Sequence, residues 1–309
     1  MKKILLAVPL FFMALLAKSQ ESDSVYLFSY FKGNGDGLHY AYSYDGLKWE
    51  AMFGDTAVLK PTVSRDKLFR DPCIIRGRDG LFHMVWTVSW NDRGVGYASS
   101  HDLMNWSEQR YLPVMQHEDL ARNAWAPEIT YDPRKKKYMI YWASTITGKY
   151  VNKDTAAESG YNHRMYYTTT KNFKKFSRTK LLYEPGFSVI DASIVKDGKQ
   201  WIMFLKNETR WPVEKNLRVA TAKKLTGPYS APGAPITGNY WAEGPTAAKI
   251  SGDWIVYFDK YRDKKYGAVR SSDFIQWTDI SDQVSFPKGT RHGTVFKITK
   301  SEFERMVKQ

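Results

Sequence analysis

Short apolar runs, each set off by turn residues, recur along the chain. Leu81-Phe82-His83-Met84-Val85-Trp86 follows Asp79-Gly80, and Trp201-Ile202-Met203-Phe204-Leu205 follows Asp197-Gly198-Lys199. Tyr138-Met139-Ile140-Tyr141-Trp142 and Trp254-Ile255-Val256-Tyr257-Phe258 have the same make-up. Runs this short, rich in β-branched and aromatic residues and bounded by turn formers, predict strands. Helical periodicity is nearly absent outside an N-terminal apolar run and the last residues, Ser301 to Lys308. The pattern is that of an all-β chain.

An internal repeat organises these strands. Ser43 to Trp49, Ser99 to Trp106, Thr169 to Phe176, Thr221 to Tyr229 and Ser271 to Trp277 each join a small-residue strand end to a turn and an aromatic residue. The aromatic positions 49, 106, 176, 229 and 277 are 57, 70, 53 and 48 residues apart. Periods near fifty filled with short strands indicate a propeller, with one four-stranded blade per repeat. The segment Tyr26 to Trp49 lacks an opening strand, and Arg291 to Ile298 is an opening strand with no successor. Pairing the two closes the ring and removes exposed edges. The sequence therefore predicts a single five-bladed β-propeller over residues 20–309, closed by its N- and C-terminal strands. The longest repeat carries its surplus between Ala143 and His163, expected as a rim over the binding face.

The predicted opening strands begin with polar residues where a core would take apolar ones. They read Arg70-Asp71-Pro72, Trp125-Ala126-Pro127-Glu128, Ile190-Asp191-Ala192-Ser193, Glu243-Gly244-Pro245 and Arg291-His292-Gly293-Thr294. Asp71, Glu128, Asp191, Glu243 and His292 are 57, 63, 52 and 49 residues apart, which follows the repeat. In a propeller the innermost strands line the axis, so equivalent positions converge on one mouth. Crowded carboxylates are costly to bury without compensation, and such clusters are usually chemical sites. Glycosidic cleavage needs two carboxyls of unlike pKa, one to protonate the leaving oxygen and one to act at the anomeric carbon. A third carboxylate beside the proton donor raises its pKa.

On Asp71-Pro72, Trp125-Ala126-Pro127, Asp191 and Glu243-Gly244-Pro245, each opening a successive blade, the chain resembles glycoside hydrolase family 43. That family comprises five-bladed propellers including arabinofuranosidases, xylosidases, arabinanases and exo-galactanases. The resemblance implies Asp71 as general base, Glu243 as general acid and Asp191 as the carboxylate that tunes and orients the acid. It implies His292 as an axial histidine associated with a metal ion, with Ca2+ the candidate, and no organic cofactor. Asp36, Asp45 and Asp66 are competing bases, the first two in Gly-flanked turns. Trp90, Trp125 and Trp241 are candidates to stack on sugar faces, and Glu128 and Arg291 to bind hydroxyls. The expected reaction is inverting hydrolysis of arabinose- or xylose-containing plant polysaccharide, with α-L-arabinofuranosidase first and β-xylosidase, endo-xylanase or exo-galactanase as alternatives. The Ser-x-Asp-Gly-x-x-Trp repeat is also similar to the Asp-box of sialidases, but that fold needs six blades and an arginine cluster. A propeller that binds carbohydrate without catalysis is the remaining alternative.

Composition adds the setting. Lys2 and Lys3 precede an apolar run from Ile4 to Ala17, and Ala17-Lys18-Ser19 fits a small-x-small cleavage site. Residues 1–19 are expected to be a secretory signal peptide and the protein to be exported, periplasmic or secreted. Cys73 is the only cysteine, so no intramolecular disulfide forms and packing must supply the stability. The formal charge of +14 is scattered, with no sustained basic stripe, so nucleic acid is not an expected partner. No later segment is apolar enough to span a membrane.

Overall fold

A computed structural model describes residues 24–150 and 157–308. The signal-peptide expectation, residues 1–19, lies outside the described residues, as does the middle of the long second-repeat loop. Strands β1 (Ser24–Tyr30), β2 (His39–Ser43) and β3 (Glu50–Ala51) begin one antiparallel sheet. The second sheet is β4 (Arg70–Arg76), β5 (Phe82–Thr87), β6 (Val95–Ser100) and β7 (Arg110–Leu112). The third is β8 (Trp125–Asp132), β9 (Lys137–Ser144), β10 (Arg164–Thr170) and β11 (Lys180–Tyr183). The fourth has three strands, β12 (Val189–Asp197), β13 (Gln200–Asn207) and β14 (Asn216–Ala222). The fifth is β15 (Glu243–Ile250), β16 (Asp253–Lys260), β17 (Lys265–Ser271) and β18 (Thr278–Asp279). Finally β19 (Thr294–Thr299) returns to the first sheet, and helix α1 (Lys300–Val307) follows it.

Strand β19 pairs with β1 antiparallel from Ser24↔Thr299 to Ser29↔Thr294, which is the closure read from the two chain ends. The opening strands β4, β8, β12, β15 and β19 touch one another in a closed ring. The molecule is thus a five-bladed β-propeller. The apolar runs are the second strands of the blades, and every residue of β5 is buried, because such a strand is covered on both sheet faces. Apolar clusters fill the spaces between blades; Leu27, Phe31, Phe69, Met84 and Trp86, for example, pack where the first two sheets meet. Helix α1 begins with a capping box of Thr299 and Glu302, and Arg76 donates to both Glu302 oxygens, tying the chain's end to β4.

The repeated Ser-x-Asp turns have a local cause. Ser43, Ser100, Thr170 and Ser271 each accept a hydrogen bond from the backbone N–H three residues on. Asp45, Asp102, Asn172 and Asp273 accept from the N–H groups two and three residues on. These side chains complete the turn between a blade's third and fourth strands. Asp45 is therefore a turn residue. None of Asp36, Asp45 and Asp66 lines the axial cavity described below.

Candidate active site

Every blade's opening segment carries the same bulge. Arg70 pairs with Thr87 and Cys73 with Val85, so Asp71 and Pro72 together oppose one residue. Trp125 and Glu128 stand to Ala143 and Tyr141 in the same way, as do Ile190 and Ser193 to Lys206 and Phe204. Glu243 and Thr246 repeat the pattern against Asp259 and Tyr257. Before β19, the Arg291 N–H donates to the Phe31 carbonyl at 3.1 Å while Thr294 pairs with Ser29. The second residue of four of these segments has a left-handed backbone: Asp71 at φ 53°, Ala126 at 47°, Asp191 at 53° and Gly244 at 60°. A bulge of this kind re-aims its side chains, here toward the axis.

The bulge corrects one expectation. Asp71, Glu128, Asp191, Glu243 and His292 do not occupy one equivalent position. Asp71, Asp191 and His292 share the second place, with Ala126 and Gly244. Glu243 holds the first place, with Arg70, Trp125, Ile190 and Arg291, and Glu128 the fourth, with Cys73, Ser193, Thr246 and Thr294. Loops between blades differ in length, so approximate spacing conceals slips of one or two residues.

A cavity of about 160 Å³ opens at this end of the axis, and Asp71, Asp191, Glu243 and His292 line it together with Arg70 and Lys206. Asp71 Oδ2 accepts from the Thr87 hydroxyl at 2.8 Å, and Oδ1 lies 3.3 Å from His292 Nδ1. Burial pushes the Asp71 carboxyl up, but the His292 contact, Arg70 and Thr87 outweigh it and hold it at about 2. Asp191 Oδ2 accepts from the Gly244 N–H at 3.0 Å and so clamps the residue after Glu243. Burial raises Asp191 to about 6 against the pull of His292 and Lys206, with Glu243 and Asp71 adding to the rise. Glu243 Oε2 accepts from Lys206 Nζ at 3.0 Å and Oε1 from Arg291 Nη2 at 3.1 Å. Burial opposes its ionisation, yet Lys206 and Arg291 carry it below the ordinary glutamate value. Of the closely placed pair, Glu243 is the ionised member and Asp191 the one that takes up a proton.

The other expected residues fall in different surroundings. Trp90 and Trp125 line the cavity edge to face, with centroids 5.8 Å apart. Trp125 Nε1 donates to the carbonyls of Ser89 and Trp90, and the Arg70 guanidinium lies over the Trp90 ring. The described end of the long loop brings Tyr161 to 4.7 Å from Trp125, next to the cavity. Trp241 is not a cavity wall; it lies under the Arg262 guanidinium at 3.7 Å. Arg291 also stays outside the wall, held between Glu243 and Asp259. Glu128 is buried, is not among the cavity's lining residues, and accepts from the Cys73 thiol at 3.4 Å. Burial raises its carboxyl to about 7.

His292 was expected to attend a metal ion. Burial lowers its pKa, but Asp71, Asp191 and Glu128 more than compensate and raise it to about 9. Among the described residues no three His, Cys, Asp or Glu side chains group to hold an ion. His292 meets Asp71 through Nδ1 at 3.3 Å.

Lys206, Asp259 and Thr87 escaped sequence reasoning, and Arg70 entered it only as a polar residue at the start of a strand. The first three share one place, opposite the first residue of the bulge. The signal was available, because each apolar run ends one residue earlier, at Leu205, Phe258 and Trp86.

A family-43-related model described as a "Probable glycosyl hydrolase domain" matches residues 21–304. The chain is similar to an α-L-arabinofuranosidase of Bifidobacterium longum subsp. longum, at 25% identity over 223 residues. That match covers 60% of this chain and 21% of the relative, so the chain spans only a part of that protein's length. Among solved structures, an α-L-arabinofuranosidase from Lactobacillus brevis superposes with a TM-score of 0.51 at 18% identity, over 68% of this chain and 72% of that one. An exo-β-1,3-galactanase from Phanerochaete chrysosporium, with galactose, gives 0.52 at 14% identity, over 68% and 49%. At these identities the structural likeness speaks for the fold.

Proposed function

The chain belongs to the family-43-related glycosyl hydrolases, and on that premise we propose that it hydrolyses arabinose- or xylose-containing plant polysaccharide, with an α-L-arabinofuranoside as its preferred substrate. One observation carries the reading: three carboxyls share one small axial cavity, and their partners hold them in unlike protonation states. The sugar preference rests on the sequence relative.

Asp71 is the base. It is ionised above about pH 2, and Thr87 and His292 fix both its oxygens. It takes a proton from the attacking water as the water oxygen bonds to the anomeric carbon. The glycosidic C–O bond breaks on the other side of the ring, and the departing oxygen takes a proton from Glu243, giving inversion. In the free site Lys206 and Arg291 favour ionised Glu243 and Asp191 is the carboxyl that takes up a proton, so that proton passes from Asp191 to Glu243 before Glu243 donates it. The two carboxyls then return to their starting states by exchange with solvent. Trp90 and Trp125 supply flat apolar faces at the mouth, suited to the C–H side of a sugar ring.

Turnover of nitrophenyl α-L-arabinofuranoside, β-xyloside, β-galactoside and sialoside by the same preparation tests this. The arabinofuranoside should be hydrolysed fastest. Preference for the xyloside or galactoside would move the substrate assignment, and turnover of the sialoside alone would overturn the mechanism.

A further inference from the structure

The cavity wall holds one cation that the propeller itself does not require. Lys206 sits opposite the first bulge residue of its blade, and the matching places in the other blades hold Thr87, Ala143, Asp259 and Phe31. Its side chain is 3% exposed, and a buried ammonium is costly unless carboxylates receive it. Two do. Nζ lies 3.0 Å from Glu243 Oε2 and 2.6 Å from Glu208 Oε2. The other Glu208 oxygen accepts from Lys215 Nζ at 2.7 Å, and Lys215 is fully buried. Lys215 also approaches Glu158 of the long loop, at 3.6 Å. The result is a buried ladder of alternating charge, Glu243–Lys206–Glu208–Lys215, running from the cavity toward the rim.

We infer that Lys206, fixed by Glu208 and Lys215, is the positioning residue that orients the Glu243 carboxyl and governs its proton. The inference rests on Glu243 as the general acid. Around Glu243 stand Lys206 from β13, Arg291 ahead of β19, Arg70 from β4, Asp191 from β12, and Asp259 and Tyr261 from the β16 hairpin. Arg291 is shared between Glu243, through Nη2, and Asp259, through Nε. Lys206 is shared between Glu243 and Glu208, so the balance between these two acids bears on how strongly Glu243 is held in its ionised form.

The experiment is kcat/KM against pH on an arabino-oligosaccharide for Lys206→Met, Lys206→Arg and Glu208→Gln, with melting curves at each pH. An opposite charge at this distance typically lowers a carboxyl by about 1–3 pH units. Lys206→Met should therefore move the basic limb up by about that amount, while Lys206→Arg keeps the charge and leaves the limb near its place. Glu208→Gln should move the limb the other way, since it removes a nearby anion and leaves Lys206 to Glu243. If Glu208→Gln does not fold, Glu208→Gln with Lys215→Met removes the stranded cation, and the same downward shift is expected. A fall in kcat with an unmoved limb in Lys206→Met, or equal behaviour of the Met and Arg variants, would overturn the inference. Failure of the acid assignment is read separately, from whether Glu243→Gln recovers on a nitrophenyl glycoside.

Discussion

Glu243→Gln should separate proton donation from every other role of the site. The substitution removes one proton donor and leaves its two cations partnered, because Arg291 keeps Asp259 and Lys206 keeps Glu208. The fold should therefore lose little, and the melting temperature should stay close to that of the parent. The catalytic loss depends on the leaving group. General acid assistance is worth roughly 10²–10⁴ in rate, which at about 1.36 kcal/mol per tenfold is about 3–5 kcal/mol of barrier. On an arabino-oligosaccharide, whose leaving alkoxide needs the proton, the whole factor should be lost. On a nitrophenyl arabinofuranoside, whose phenolate leaves unaided, the loss should be about tenfold or less. Asp71→Asn removes activation of the attacking water, which both substrates require, so both rates should collapse together. The assay is the ratio of oligosaccharide to nitrophenyl turnover in each variant. If Asp71→Asn, and not Glu243→Gln, were rescued by the better leaving group, the two roles would be exchanged.

Early-time proton NMR should show an inverted first-formed sugar, and a retained anomer would make Asp71 a nucleophile rather than a base. Asp71 stays ionised down to about 2 and the proton of the acid pair rests on Asp191 at about 6, so oligosaccharide kcat/KM should fall as pH rises through about 6. A flat profile to pH 8 would contradict that assignment. His292 is raised from 6.5 to about 9, so its stabilising contribution is complete below 6.5 and lost as pH rises through about 9. Melting curves should accordingly show His292→Gln well below the parent near neutrality, with the gap closing in alkaline buffer; a constant gap would refute the ion pair. Gly244 has φ +60°, and a Cβ there would come 2.4 Å from His292 Cγ, so Gly244→Ala should cost about 1–3 kcal/mol in urea melts and displace His292 from Asp71. Parent-like stability and activity in that variant would refute the packing argument. A chelator should leave activity and melting temperature unchanged, since His292 is committed to Asp71; loss of either would restore a metal to the axis.

The sequence by itself determined the architecture. Strand runs such as Trp201 to Leu205, the Ser-x-Asp turns and the unmatched chain ends are local signals, and each predicts its element from neighbouring residues. Turn chemistry acts over two or three residues, as at Asp102 with Met104 and Asn105, so five repeats and their closure were legible without coordinates. The convergence of Asp71, Asp191 and Glu243 on the axial cavity was legible too, because carboxyls at the start of strands stand out against an apolar pattern. Tertiary structure decided their exact company. The bulge sets Glu243 one place ahead of Asp191 within its blade and turns Glu128 toward Cys73. Lys206 reaches Glu243 across 37 residues and Arg291 across 48, from neighbouring blades that meet only through tertiary packing. Protonation follows from that company, since a carboxyl's pKa answers to burial and to charges a few ångströms away, neither of which is written in the residue's own neighbourhood along the chain.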